Sequence, residues 1–287
     1  MSPSLLQPSE RLTAGALACL LALTLAARPA GWGLRAGAFA IMLLAILWLG
    51  SPRQPAWYRW VRDFTPVAVV LAVFLLLNPL VATLNPRRWD AALVAVDQRQ
   101  FRQLALHWQG VFGRPAAFTD LVYGAYASFY FLPLAVALLA RLRLGAERFE
   151  RVAFTLLLGF YLCFLGYFLW PAEGPRVPQA LEAAQLGGGA VSEAIRAFLR
   201  GAETTTLDAF PSGHTTLSLL PAILATRSFP RLAPLFWAWA LAIVFATVYI
   251  SAHYVADVLA GLVLAGLTLV LAPPLARLLG PTGPDPL

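Results

Sequence analysis

Two short strings hold most of the chemistry in this 287-residue chain: Phe210-Pro-Ser-Gly-His-Thr215 and Ser251-Ala-His-Tyr-Val-Ala-Asp-Val-Leu-Ala-Gly261. The chain has three histidines, and His214 and His253 sit in these strings. Imidazole titrates near neutral pH and serves as acid, base or nucleophile. Asp257 follows His253 by four residues, the spacing that puts two side chains on one helical face. A carboxylate there holds one ring N–H, fixes the tautomer and leaves the other nitrogen free to attack phosphorus. The plain alternative is a structural His–Asp pair, but an aspartate at membrane depth is costly and usually functional.

Pro211-Ser-Gly-His214 stands immediately before an apolar run and has the form of a helix start. The first amides of a helix lack internal partners and favour an anion. Gly213, with no Cβ, would let a phosphate approach that backbone closely. His214 would point into the same space. The alternative is a helix cap with an interfacial histidine. A third string, Pro171-Ala-Glu-Gly-Pro-Arg176, would turn Arg176 back towards the bundle, where a guanidinium suits bidentate phosphate binding. Otherwise Arg176 is an arginine reaching for headgroups. His107 has no acidic neighbour in sequence and reads as part of a surface helix.

The elements that must position these residues are membrane spans. The chain is 60% hydrophobic and 12% charged, about half the charge of a soluble domain. Eight segments approach the roughly 20 apolar residues a spanning helix needs: 12–28, 33–50, 65–85, 119–140, 152–171, 212–227, 232–250 and 254–275. The first also has the form of a secretory signal, although a second span follows at once. The net charge of +7 comes entirely from arginine. The arginines are scattered among loops rather than set in one stripe, which argues against nucleic acid and for anionic membrane lipids. Cys19 and Cys163 fall in apolar runs and read as inert core residues, not a disulfide.

Arginine density in the short loops after the second, fourth and sixth spans makes those loops cytoplasmic. Both termini then lie inside, and both histidine strings and the end of the fifth span lie outside. Between residues 86 and 118, Phe101, Leu104, Trp108, Val111 and Phe112 recur at helical spacing. They predict an amphipathic helix on the outer leaflet, either a packing element or a wall of the lipid entrance. Gly187-Gly-Gly189 reads as a flexible turn, and residues 192–199 as a short helix. Tyr249 and Tyr254 either shape the pocket beside His253 or anchor in the interface.

The three strings together resemble the type 2 phosphatidic acid phosphatase superfamily, closest to its inositol phosphorylceramide synthase-like branch. The resemblance covers residues 65–275. It implies an all-α, polytopic membrane bundle of about eight transmembrane helices with a six-helix catalytic core. Residues 1–64 would be two N-terminal helices with a cytoplasmic loop, and 276–287 a short cytoplasmic tail. It also implies phosphoryl transfer through a phosphohistidine with no metal or other cofactor. On this resemblance His253 is the nucleophile, Asp257 its orienting partner and His214 the general acid. Ser212, Gly213 and Arg176 bind the substrate phosphate. The chain departs from the family where Leu169 replaces a lysine, Val177 a proline, and Ala246 and Thr247 a Ser-Arg pair. Two phosphate-facing cations are therefore missing. Arg87, Arg88 and Arg196 are candidates to replace them.

The implied partners are a lipid phosphate substrate, surrounding membrane lipids, and water or a polyol or lipid acceptor. The composition suggests a bacterial plasma membrane. The rival readings are a metal hydrolase using His214, His253 and Asp257, a serine protease using Ser212, and a noncatalytic lipid transporter or scaffold that kept the fold.

Overall fold

The computed structural model describes residues 6–50, 58–101, 104–175, 186–202 and 206–280, and among them every regular element is helical. α1 (Pro8–Ala27) and α2 (Trp32–Leu49) form a hairpin, and α3 (Arg59–Leu84) packs on both. α4 (Asp90–Val96), a π turn (Asp97–Phe101) and α5 (Leu104–Phe112) follow as short pieces. α6 (Ala116–Ala127) runs through one 3-10 turn into α7 (Phe131–Leu144) as a single rod. Gly145, at φ 83°, lets the chain reverse within one residue into α8 (Ala146–Leu169). α9 (Ala190–Ala202), α10 (Gly213–Ser228), α11 (Ala233–Tyr249) and α12 (Val255–Leu279) complete the described chain.

α8 is the pillar, touching α1, α3, α7, α10 and α12. It contributes Phe149, Val152, Ala153 and Leu156 to one apolar cluster with α7, α10 and α11. It contributes Leu157, Cys163, Phe164 and Tyr167 to a second cluster with α1, α2 and α3. Among the described residues six helices are long and apolar enough to cross a membrane, with the α6–α7 rod counted as one. α11 is apolar but shorter, and α10 has only 16 residues. All eight segments expected as spans are nonetheless helical. α10 is less apolar because Thr215, Thr216 and Ser218 lie buried in its first turns.

The two ends of the bundle differ. Where α1 and α8 begin, Arg62 pairs with Glu10 at 2.5 Å and Arg141 pairs with Asp63 at 2.5 Å. There too the Glu150 carboxylate accepts from the Ser9 amide and hydroxyl, both at 2.7 Å. The opposite end, where α8 stops and α10 and α12 start, holds the histidines.

Three details depart from the sequence reading. Cys19 lies on the outer surface of α1, while Cys163 is buried. The surface segment is broken into α4, the π turn and α5. Within α5 the buried residue is Gln109, whose amide donates to the Tyr249 carbonyl at 2.7 Å, while Val111 faces outward. α12 runs past residue 275 to Leu279; residues 281–287 of the expected tail lie outside the described residues.

Candidate active site

The end of α8 and the lead-in to α10 meet where Gly166 leaves room for the Pro211 ring. A Cβ on Gly166 would lie 2.2 Å from Pro211 Cδ. Beyond α8, Pro171 and Ala172 run alongside the α10 lead-in, with the Ala209 amide donating to the Ala172 carbonyl at 3.1 Å. The next turn is held by Asp90, whose Oδ1 accepts from the Glu173 and Gly174 amides, each at 2.9 Å. Gly174 sits at φ 79° with no room beside it, since a Cβ would meet the Ala252 carbonyl oxygen at 3.2 Å. Arg176, the expected cationic clamp, lies outside the described residues.

Ser212 is the N-cap of α10, and its hydroxyl accepts from the Thr215 amide at 3.2 Å. Its own amide donates to the Asp257 carbonyl at 3.0 Å. Ser212 therefore joins α10 to α12. The Gly213 amide opens the helix beside this cap, where an anion is favoured. Gly261 makes this junction possible: a Cβ there would stand 2.7 Å from the Ser212 carbonyl oxygen and 2.9 Å from Thr215 Cβ.

His253 is not on a helix. After α11, Ser251 takes φ 54°, and the Ala252 and His253 amides both donate to the Thr247 carbonyl. Tyr254 is the N-cap of α12, and Asp257 reaches back from the first turn to accept from the Tyr254 amide at 2.9 Å. This capping box, not a shared helical face, brings Asp257 Oδ2 to 3.4 Å from His253 Nδ1. The same nitrogen lies closer to the Ala209 carbonyl, at 3.0 Å. A carbonyl only accepts, so Nδ1 carries the proton and Nε2 presents its lone pair. Nε2 faces His214 Nδ1 at 3.3 Å. His253 and Asp257 are both buried.

The walls are aromatic. Tyr126 and Phe129, at the end of α6 and in the turn after it, pack on the His214 ring at centroid distances of 4.4 and 4.3 Å. The Tyr167 hydroxyl occupies the space beside Gly213, 2.6 Å from where a Cβ would be. Gly213 is thus small for Tyr167 as well as for any anion. Tyr249 is buried and donates from its hydroxyl to the Gly113 carbonyl at 2.7 Å, while Tyr254 is buried beside Trp89 and Leu93. Asp97, in the π turn, accepts from the Val255 amide at 2.9 Å, and burial raises its carboxyl above the ordinary value. Ala209, Tyr126, Phe129, Tyr167, Asp90 and Asp97 were not singled out from the sequence.

The positions that depart from the family pattern supply no cation. Leu169 is half exposed, and the Thr247 hydroxyl donates to the Val244 carbonyl at 2.7 Å. Arg87 lies over the Trp89 ring at 4.0 Å, and Arg88 donates to the carbonyls of residues 85–87. Arg196 lies over the Tyr123 ring and donates to the Leu186 carbonyl at 3.0 Å. His107 is exposed on α5, as expected.

A family model described as PAP2 superfamily matches residues 91–271. The match runs from α4 into α12, so it starts later than the expected residue 65 and leaves α3 outside. No curated protein and no solved structure matches the chain. The chain belongs to the PAP2 superfamily, and so to membrane phosphoesterases of the phosphatase type.

Proposed function

We propose, for this member of the PAP2 superfamily, a metal-independent transfer of phosphorus from a lipid-linked phosphate through a phosphohistidine on His253. The observation that carries the reading is the His253 Nε2–His214 Nδ1 approach of 3.3 Å at the head of α10, with Asp257 behind His253. Nε2 has its lone pair and attacks phosphorus. The positive charge this creates on the imidazole is shared with Asp257 and the Ala209 carbonyl. In-line displacement puts the leaving oxygen across phosphorus from Nε2, so the substrate must part the two rings as it enters. His214 then protonates the leaving alcohol and, once neutral, serves as base for the acceptor in the second step. The Gly213 amide and Arg176 hold the nonbridging oxygens.

The acceptor is water in a phosphatase and a hydroxyl compound in a transferase. The resemblance to the inositol phosphorylceramide synthase-like branch favours a polyol or lipid acceptor. The shortage of cations points the same way, because a singly charged phosphodiester needs fewer of them than a dianionic monoester. The site faces the extracytoplasmic side of a bacterial plasma membrane in this reading, with both termini inside. The test is a reconstituted assay in EDTA on labelled lipid phosphates, with and without inositol, for wild type and His253→Ala. Phosphate release or a new phospholipid product from wild type alone supports the reading. Activity that survives in His253→Ala overturns it.

A further inference from the structure

Resting on that reading, we propose that Tyr167 is a phosphate-binding residue, its hydroxyl donating to a nonbridging oxygen held at the head of α10. The hydroxyl stands 2.6 Å from the Cβ position of Gly213, the residue whose amide opens α10. It therefore borders the space beside the helix start at which the proposed phosphate binds. The approach is fixed at both ends. Tyr167 is buried in the last turns of α8, and its neighbour Gly166 lies against Pro211 so tightly that no side chain fits between them.

The surroundings give this donor a task. Leu169 and Thr247 stand where the family pattern has cations, and neither can donate to an anion in this arrangement. Arg87, Arg88 and Arg196 are engaged with local rings and carbonyls. A phenol is neutral, and its O–H is a strong donor to a charged oxygen. It would orient a phosphate without adding charge. In a packing role, by contrast, only the ring matters.

Orthovanadate mimics a phosphoryl group in transfer and serves as the probe. In buffers stripped of divalent cations by a chelating resin and free of soluble chelator, wild type, Tyr167→Phe and Tyr167→Leu are compared for the vanadate dependence of the melting temperature and for vanadate inhibition of lipid-phosphate turnover. Tyr167→Phe should raise the inhibition constant about tenfold, the scale of one lost hydrogen bond to a charged group. Tyr167→Leu should raise it no further. The inhibition constant does not depend on how much of a variant is folded, so a partly unfolded variant still reports. An unchanged constant in Tyr167→Phe, or a loss confined to Tyr167→Leu, assigns the residue to packing and overturns the proposal. The two failures are distinct. Vanadate binding that weakens in Tyr167→Phe while His253→Ala keeps full turnover would uphold Tyr167 and sink the phosphohistidine. The reverse pattern would do the opposite.

Discussion

In the proposed reaction, His253 would owe its reactivity to where its two nitrogens face. One is held by the Ala209 carbonyl and Asp257, and the other looks at His214. His214→Ala should cost on the order of 10²- to 10⁴-fold in turnover, the range of a lost general acid. The cost should shrink sharply with a nitrophenyl ester, whose leaving group needs no proton. An equal loss on both substrates would remove His214 from that role. The residues of the candidate site differed in how plainly the sequence showed them. His214, His253 and Asp257 stood out because polar groups are rare in apolar segments. The Ala209 carbonyl could not stand out, since every residue has one. Tyr126, Phe129 and Tyr167 were hidden for a related reason: aromatic residues in apolar helices look the same whether they line a site or face lipid.

At the scale of elements, the site is a junction of three helix ends, sealed by glycines. Gly261→Val would push α12 off the Ser212 carbonyl. Overpacking of this kind costs about 1–3 kcal/mol, so a lower melting temperature and lost activity should appear together. Ser212→Ala removes the α10 cap and should cost about 0.5–2 kcal/mol in stability while turnover persists. Loss of all turnover with an unchanged melting temperature would instead make Ser212 a nucleophile. The helix start at Pro211-Ser-Gly was legible because capping chemistry is local. The His253–Asp257 geometry was legible only as proximity. A four-residue spacing implied one helical face, but the pair meets across an N-cap, because the turn after Thr247 keeps His253 outside α12. The broken α4–α5 segment was missed since apolar spacing does not reveal that Gln109 is the residue turned inward.

The described residues form a bundle with the candidate site at one end and the Arg62–Glu10 and Arg141–Asp63 pairs at the other. The spans were legible because twenty-residue apolar runs have few other uses. The pairs that tie α1 to α3 and α3 to α7 were not, because partners 52 and 78 residues apart leave no local pattern. Arg141→Met leaves the buried Asp63 carboxylate unpaired and should cost about 3–5 kcal/mol, with much of it recovered by adding Asp63→Asn. Thermal melting in detergent of the single and double variants checks this; additive losses would count against a coupled pair. The proposed orientation also has a check at this scale: intact spheroplasts should turn over a lipid phosphate that cannot cross the membrane, and activity appearing only after lysis would reverse the topology. The most direct test of the central claim is to trap the intermediate. Reconstituted protein in EDTA would be quenched during turnover of a substrate labelled at phosphorus. Wild type should retain acid-labile, base-stable label on His253, and His253→Ala should retain none. Turnover by wild type with no trapped label, or equal label on the variant, would contradict the phosphohistidine mechanism.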